Sequence, residues 1–173
     1  MKRRSTFPPL VFLIFTAIVA TTQSSSAVAP DQGASAFGQG GFSFFNGFRT
    51  EQWSYSFDAA ANKNGQARGR AIFDIFESST QTQVVVKINC LQVIEDSGGS
   101  AEASIIGTVL HSDDPEFPKR ATVVFGALDS RDSTIFRSDI ITRLFVFPEA
   151  NCDEFVLPLT FFFQSPDAIH IEP

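Results

Sequence analysis

Alternation of large apolar and small polar side chains is the feature that most limits how this chain can fold. Within residues 52–58, Trp53, Tyr55 and Phe57 occupy the odd positions, and Gln, Ser, Ser and Asp occupy the even ones. In an extended strand, successive side chains point to opposite faces. The pattern therefore predicts a β-strand with an aromatic face in a core and a polar face in water.

Further short segments of this kind follow at regular spacing, separated by turn signals such as Asn64-Gly65. No segment has a helical stripe with capping residues. We expect strands at 66–76, 81–94, 103–110, 121–128, 139–147, 155–163 (at an edge or bent, because of Pro158) and 168–171. The prediction is an all-β fold, a single-domain antiparallel sandwich or barrel of about eight short strands.

The N-terminal residues have the pattern of an export signal. Lys2, Arg3 and Arg4 precede an unbroken apolar run at 10–20, which is followed by small residues up to Ala27. The run is shorter than the roughly 20 residues of a membrane-spanning helix. We expect residues 1–27 to be a signal peptide, and the mature protein to be secreted, either periplasmic or extracellular.

Two further segments complete the expected organisation. Residues 28–41 are small, rich in glycine and without periodicity, which predicts a flexible leader. Residues 42–173 then form the β-domain, and the mature part of about 146 residues suits one core.

The chain has two cysteines, Cys90 and Cys152. In an exported protein an even number of cysteines indicates a disulfide. Two buried thiols or a reactive pair are the alternatives, but neither cysteine has a CxxC partner or a nearby histidine. We therefore expect Cys90 and Cys152 to be bridged.

Charge and aromatic content limit the partners. After residue 27 there are 10 basic and 19 acidic residues, a formal net charge of −9. Sparse cations in an acidic chain argue against binding to nucleic acid and, after signal cleavage, to anionic membranes. Of the 20 phenylalanines, 17 follow residue 27. They either fill a core, which we favour, or line a cavity for an apolar ligand.

No motif predicts catalysis, a metal or a cofactor. The two histidines are His111 and His170, and the sequence contains no G-x-S-x-G motif whose serine they could activate as a base. Two acidic turns offer oxygen atoms to Ca²⁺, but adjacent acids followed by proline favour ordinary solvated turns. The first turn contains His111, Asp113, Asp114 and Glu116, and the second contains Asp129 and Asp132.

Two weaker possibilities stay open at this point. A glycosidase-like carboxylate pair needs acids that approach each other in space, and the acids at expected strand ends are Glu77, Glu95, Glu102, Glu149 and Glu154. Sugar binding by Trp53 or Tyr55 conflicts with their expected place in the core.

The run of three phenylalanines at 161–163 also has a predicted orientation. In a strand Phe162 points opposite to its two neighbours. We favour its burial against the N-terminal residues Phe44 and Phe45 over an exposed apolar patch.

The order of these features resembles a widespread group of small exported bacterial β-domains. Its members share an Ala/Asn-rich hairpin, an I-x-C-L-x-V strand, an A-x-I-x-G strand, a late cysteine and a short final strand. The corresponding runs here are YSFDAAANKNGQARGRAIFDIF, VVVKINCLQV, ASIIGTV, ATVVFGALDS, SDIITRLF, CD and DAIHIE, within residues 42–173.

The resemblance implies the β fold and the disulfide, and it implies no activity because the group is functionally uncharacterised. The chain departs from the group at residues 129–133, where Asp-Ser-Arg-Asp-Ser replaces a glycine-rich acidic turn, although Asp139 keeps the following position.

Together these observations predict an exported, non-enzymatic β-domain that acts as a structural or interaction module at or outside the cell envelope. Its expected partner is a protein, a glycan or a small apolar ligand. The alternative is a lipocalin-like carrier whose Phe-rich interior holds an apolar ligand.

Overall fold

The computed structural model describes residues 33–45, 47–62, 66–77, 79–95, 99–130, 138–152, 160–165 and 167–173. These residues form β1 (Ser35–Phe45), β2 (Thr50–Ala61), β3 (Ala67–Glu77), β4 (Thr80–Glu95), β5 (Ala101–Ser112), β6 (Thr122–Asp129), β7 (Ile140–Thr142), β8 (Phe145–Val146), β9 (Phe161–Phe163) and β10 (Ile169–Glu172). No helix in this part of the chain is long and apolar enough to cross a membrane. The expected signal peptide, residues 1–27, lies outside the described residues.

One antiparallel sheet contains all ten strands. Strands β1 to β7 follow each other as neighbours in chain order, β9 pairs with β7, β8 pairs with β6, and β10 pairs with β1. The sheet curls into a half-barrel, with one face turned inward to the core. The all-β, antiparallel prediction is confirmed, and strands β2 to β6 lie within a few residues of their predicted bounds.

The segment predicted as one strand at 139–147 is divided into β7 and β8. The Thr142 hydroxyl accepts a hydrogen bond from the backbone N–H of Gly126 at 2.8 Å and donates one to the carbonyl of Arg143 at 3.0 Å. This side chain interrupts the ladder, and Leu144 then enters the core with none of its surface exposed. Within the segment predicted at 155–163, residues 153–159, including Pro158, lie outside the described residues.

Residues 35–41 of the glycine-rich segment belong to β1, which corrects the predicted flexible leader over these residues, while residues 28–32 lie outside the described part of the chain. Strand β1 begins at Ser35 and pairs with β2 at every position up to Phe45. A Cβ added to Gly38 would lie 2.8 Å from the ring of Phe57 on β2. The glycine is there because a cross-strand aromatic ring fills the space of its side chain. The β-domain therefore starts before Phe42.

Gly69 meets a similar constraint on β3. Its φ of 154° lies in a region that L side chains rarely adopt, and an added Cβ would collide with the carbonyl oxygen of Asp58. Only glycine allows β2 and β3 to approach this closely.

Aromatic rings occupy much of the inward face. Trp53, Tyr55 and Phe57 are 3%, 4% and 5% exposed, as predicted. Trp53 lies edge-on to Phe73 and to Phe117, with centroids 6.1 and 6.0 Å apart. Tyr55 and Phe57 stack at 6.2 Å. Because Trp53 and Tyr55 are buried in these contacts, neither is an accessible platform for sugars, and that hypothesis is wrong.

Candidate functional site

The disulfide joins Cys90 of β4 to Cys152, with Cα atoms 5.6 Å apart. This separation lies inside the usual range of about 4.4–6.8 Å, so the predicted bridge is confirmed. Cys90 belongs to a small buried cluster with Ile106 and Val124, distinct from the main core, and Ala150 packs against it. The Gln92 side chain donates a hydrogen bond to the Cys152 carbonyl. The bridge therefore fastens the segment after β8 to the outward face of the sheet.

The three phenylalanines of β9 divide between the two faces as predicted. Phe162 points inward and stacks on Phe42 at 4.1 Å, and it lies 5.4 Å from Phe44. The expected contact of Phe162 with Phe44 is confirmed, whereas Phe45 is 66% exposed. Phe161 and Phe163 point outward.

A groove of about 330 Å³ lies beside these two outward rings. Among the described residues its wall is formed by Glu102, Gly126, Ala127, Leu128, Ile140, Thr142, Phe161 and Phe163. The lining is mainly apolar, with one carboxylate at its edge.

Two buried aspartates bind the free edge of β10, and we call this contact the closing seam. Asp139 accepts hydrogen bonds from the backbone N–H and the hydroxyl of Ser130, both at 3.0 Å, and from the N–H of Ile169 at 2.9 Å. Asp129 accepts one from the N–H of Ile171 at 3.0 Å. Carboxylates thus replace a strand as the partner of β10 on this side.

The seam assigns a structural role to acids that the sequence pattern left uncertain. Asp129 was expected in a solvated turn or a calcium site, but it is 3% exposed and bonded to β10. Its expected companion, Asp132, lies outside the described residues. Asp139 has no exposed surface, and the signal that could have found it is an acid directly before an apolar strand.

Tyr55 carries a hydroxyl in the interior that has no hydrogen-bond partner among the described residues. Burial raises the pKa of this phenol, and the negative charge of Asp139 raises it further. An added Cβ on Gly40 would lie 2.8 Å from the Tyr55 oxygen and 2.7 Å from Oε1 of Gln164. The hydroxyl of Tyr55 and the side-chain amide of Gln164 therefore lie on the same side of Gly40, within the aromatic core.

A second group of charges lies where β2 and β3 meet. Glu51 and Glu77 are cross-strand partners, Arg49 binds Glu77 at 2.5 Å, and the indole N–H of Trp53 donates to Glu51 at 3.0 Å. Desolvation raises the pKa of Glu77, and Glu51 and Asp114 raise it further, while Arg49 opposes the shift. Sequence reasoning missed Glu51, although the alternation that buries Trp53 also places Glu51 on the inward face.

The acids in the loop after β5 contact different partners and do not converge on one point. His111 binds Asp113 at 3.2 Å, and both are well exposed. Asp114 accepts from the N–H of Glu116 at 2.8 Å, while the Glu116 carboxylate binds Arg143 at 2.9 Å. Within the described ranges, no group of three or more His, Cys, Asp or Glu side chains is arranged to hold a metal ion.

The remaining candidates are dispersed. His170 is half-buried, pairs with Glu172 at 2.9 Å and lies 4.7 Å from the ring of Phe37. Glu95 and Glu149 are exposed on separate elements, and Glu154 lies outside the described residues.

Comparison with known proteins gives no relative. No known protein family, curated protein or solved structure matches this chain. The function must therefore be argued from the geometry of the fold.

Proposed function

We propose that the chain is an exported, non-enzymatic β-domain that acts as an interaction module at or outside the cell envelope. The export pattern of residues 1–27 supports the location, and a disulfide is compatible with an oxidising compartment.

The observation that carries the proposal is the division of the aromatic residues between buried and exposed positions. The inward face already holds rings in mutual contact, including the stack of Phe162 on Phe42. Seven other phenylalanines are 40–95% exposed: Phe37, Phe45, Phe48, Phe76, Phe147, Phe161 and Phe163. Exposed aromatic surface is characteristic of binding faces. Within the described residues the inward rings pack against each other, which favours an interaction module over a carrier.

The test combines fractionation with binding. We expect the protein to leave the cytoplasm as an oxidised chain two hydrogens lighter than its reduced form, and to co-sediment with envelopes isolated from the producing cell. A reduced protein that stays in the cytoplasm would contradict the export, and an exported protein that binds neither the envelope nor any component outside it would contradict the interaction module.

Two further readouts address the other classes of function. Native mass spectrometry that finds a retained apolar molecule would favour the carrier instead. Turnover of an envelope component by the purified protein would make it an enzyme. We expect neither result.

A further inference from the structure

One row of side chains crosses the outward face of the sheet from β10 to β5. Each member is the register partner of the next. Neighbouring strands are about 4.8 Å apart, so the row from β1 to β4 extends over about 14 Å. We call it the cross-strand row, and it consists of His170, Phe37, Asp58, Arg70, Lys87 and Thr108.

The cations of this row stand out in an acidic protein. Arg70 and Lys87 are exposed and directly opposite each other on β3 and β4, and Arg68 projects from the same strand as Arg70. Like charges in this arrangement destabilise a sheet. Within the described residues no carboxylate lies within 4 Å of Arg70 or Lys87, although Asp58 faces Arg70 in register. Packing of the sheet gives no reason for these two cations.

An aromatic surface adjoins the cations. Phe37 is 49% exposed although it lies within a strand, and its ring is tilted by 38° over that of His170. A shallow pocket of about 380 Å³ opens beside it, with Gln39, Ser56 and Asp167 among its walls. The pocket therefore combines an apolar ring with amide, hydroxyl and carboxylate groups.

These groups match the chemistry of an acidic sugar polymer. An aromatic face packs on the apolar face of a sugar ring, and the polar walls can exchange hydrogen bonds with hydroxyl groups. A guanidinium binds a carboxylate through paired, charge-assisted hydrogen bonds. An acidic peptide would use the cations but leave the pocket beside Phe37 without a role, and a duplex nucleic acid needs many more cations.

We propose that the cross-strand row binds a carboxylated polysaccharide, with Phe37 against a sugar ring and Arg70 and Lys87 on carboxylates of neighbouring units. This inference rests on the proposed function, because it names the partner of the interaction module.

Calorimetric titration of the oxidised protein with polygalacturonate tests the inference. We expect binding that weakens with added salt. The double variant Arg70→Gln/Lys87→Gln should bind at least about tenfold more weakly, because it loses two charge-assisted contacts. The matched control Lys119→Gln/Arg120→Gln removes the same charge from an exposed loop and should stay within about twofold. Phe37→Ala should weaken binding without changing the salt dependence.

Folding of the variants is checked by urea unfolding with Trp53 fluorescence. Because the double variant removes a like-charge pair, it should be at least as stable as the parent chain. A weak-binding variant that keeps the parent stability is therefore a binding variant.

Three results would overturn the inference. The first is no binding of polygalacturonate, and the second is equal binding by the double variant and its control. The third is equally strong binding of polyglutamate with no effect of Phe37→Ala, which would indicate charge attraction alone. Envelope association that persists in the double variant would leave the interaction module standing while the row fails.

Discussion

We expect a single buried hydroxyl group, that of Tyr55, to make the core of this protein sensitive to alkali. The phenol of Tyr55, the only tyrosine of the chain, is 4% exposed, and its pKa is raised by burial and by Asp139. In the unfolded chain the same phenol ionises near pH 10. Above that value the unfolded state releases a proton that the folded state retains, so the free energy of unfolding falls as pH rises.

We therefore expect the ultraviolet absorbance of phenolate to appear together with unfolding and not before it. The variant Tyr55→Phe should remove this contribution to the alkaline fall in stability. At neutral pH it should be as stable as the parent or slightly more so, because the hydroxyl has no partner in the part of the chain that the structure describes. A loss of more than about 1 kcal/mol at neutral pH would show that the hydroxyl is bonded after all.

At this scale the sequence was informative where alternation was strict. The period of two predicted the burial of Trp53, Tyr55 and Phe57 correctly. It gave no warning of Glu51, because a buried acid depends on a partner supplied by another residue, here the indole N–H of Trp53.

At the scale of the strands, the structure of β1 depends on its glycines. Its inward positions include Gly38, and the ring of Phe57 from β2 fills the space there. Glycine in a strand interior normally weakens the strand. The predicted flexible leader at 28–41 depended on small, glycine-rich composition without periodicity. Compensation by a ring on a neighbouring strand cannot be seen from local composition.

We expect Gly38→Ala to lower the free energy of unfolding by about 1–3 kcal/mol, because the methyl group would overlap the Phe57 ring. Ser43→Ala is the matched control, since Ser43 is exposed on the outward face of the same strand. Urea unfolding followed by Trp53 fluorescence gives both values. Equal stability of the two variants would mean that Phe57 does not fill this space.

The disulfide also belongs to the scale of elements, because it fastens one segment to the outward face. Removing it with Cys90→Ala/Cys152→Ala should lower the free energy of unfolding by about 2–4 kcal/mol, because the unfolded chain without the crosslink has more conformational entropy. The aromatic core is a separate cluster, so the near-ultraviolet circular dichroism should be kept. Its loss would show that the bridge is needed for the core itself.

At the scale of the whole molecule, strand β10 is held on one side by backbone hydrogen bonds to β1 and on the other by the carboxylates of Asp129 and Asp139. We expect Asp139→Asn to lower the free energy of unfolding by about 1.5–3 kcal/mol, because a carboxylate that accepts three hydrogen bonds is replaced by an amide, whose NH2 group cannot accept. The control Asp167→Asn makes the same chemical change at an exposed residue.

Hydrogen exchange locates this effect. In Asp139→Asn the amide of Ile169 should exchange faster than in the parent, while the amides of β3 and β4 change little. Uniform loss of protection across the sheet would mean that the closing seam is not a local contact but part of the global fold.

The all-β class and most of the central strands were predictable because each depends on its own period. The closing seam was not, because it brings Asp129 and Asp139 to residues 30 to 42 positions later in the chain. The cross-strand row escaped prediction for the same reason: strand register is set by five successive pairings that local patterns do not specify.

The pairing of β10 with β1 affects the order in which the sheet can assemble. Strands β1 to β7 can join their neighbours one after another, because the sheet follows the order of the chain. The other edge of β1 stays open until β10 joins it, and open edges are where foreign strands add. The edge of β1 is therefore open to misassembly while β2 to β9 join the sheet, and pairing with β10 closes it.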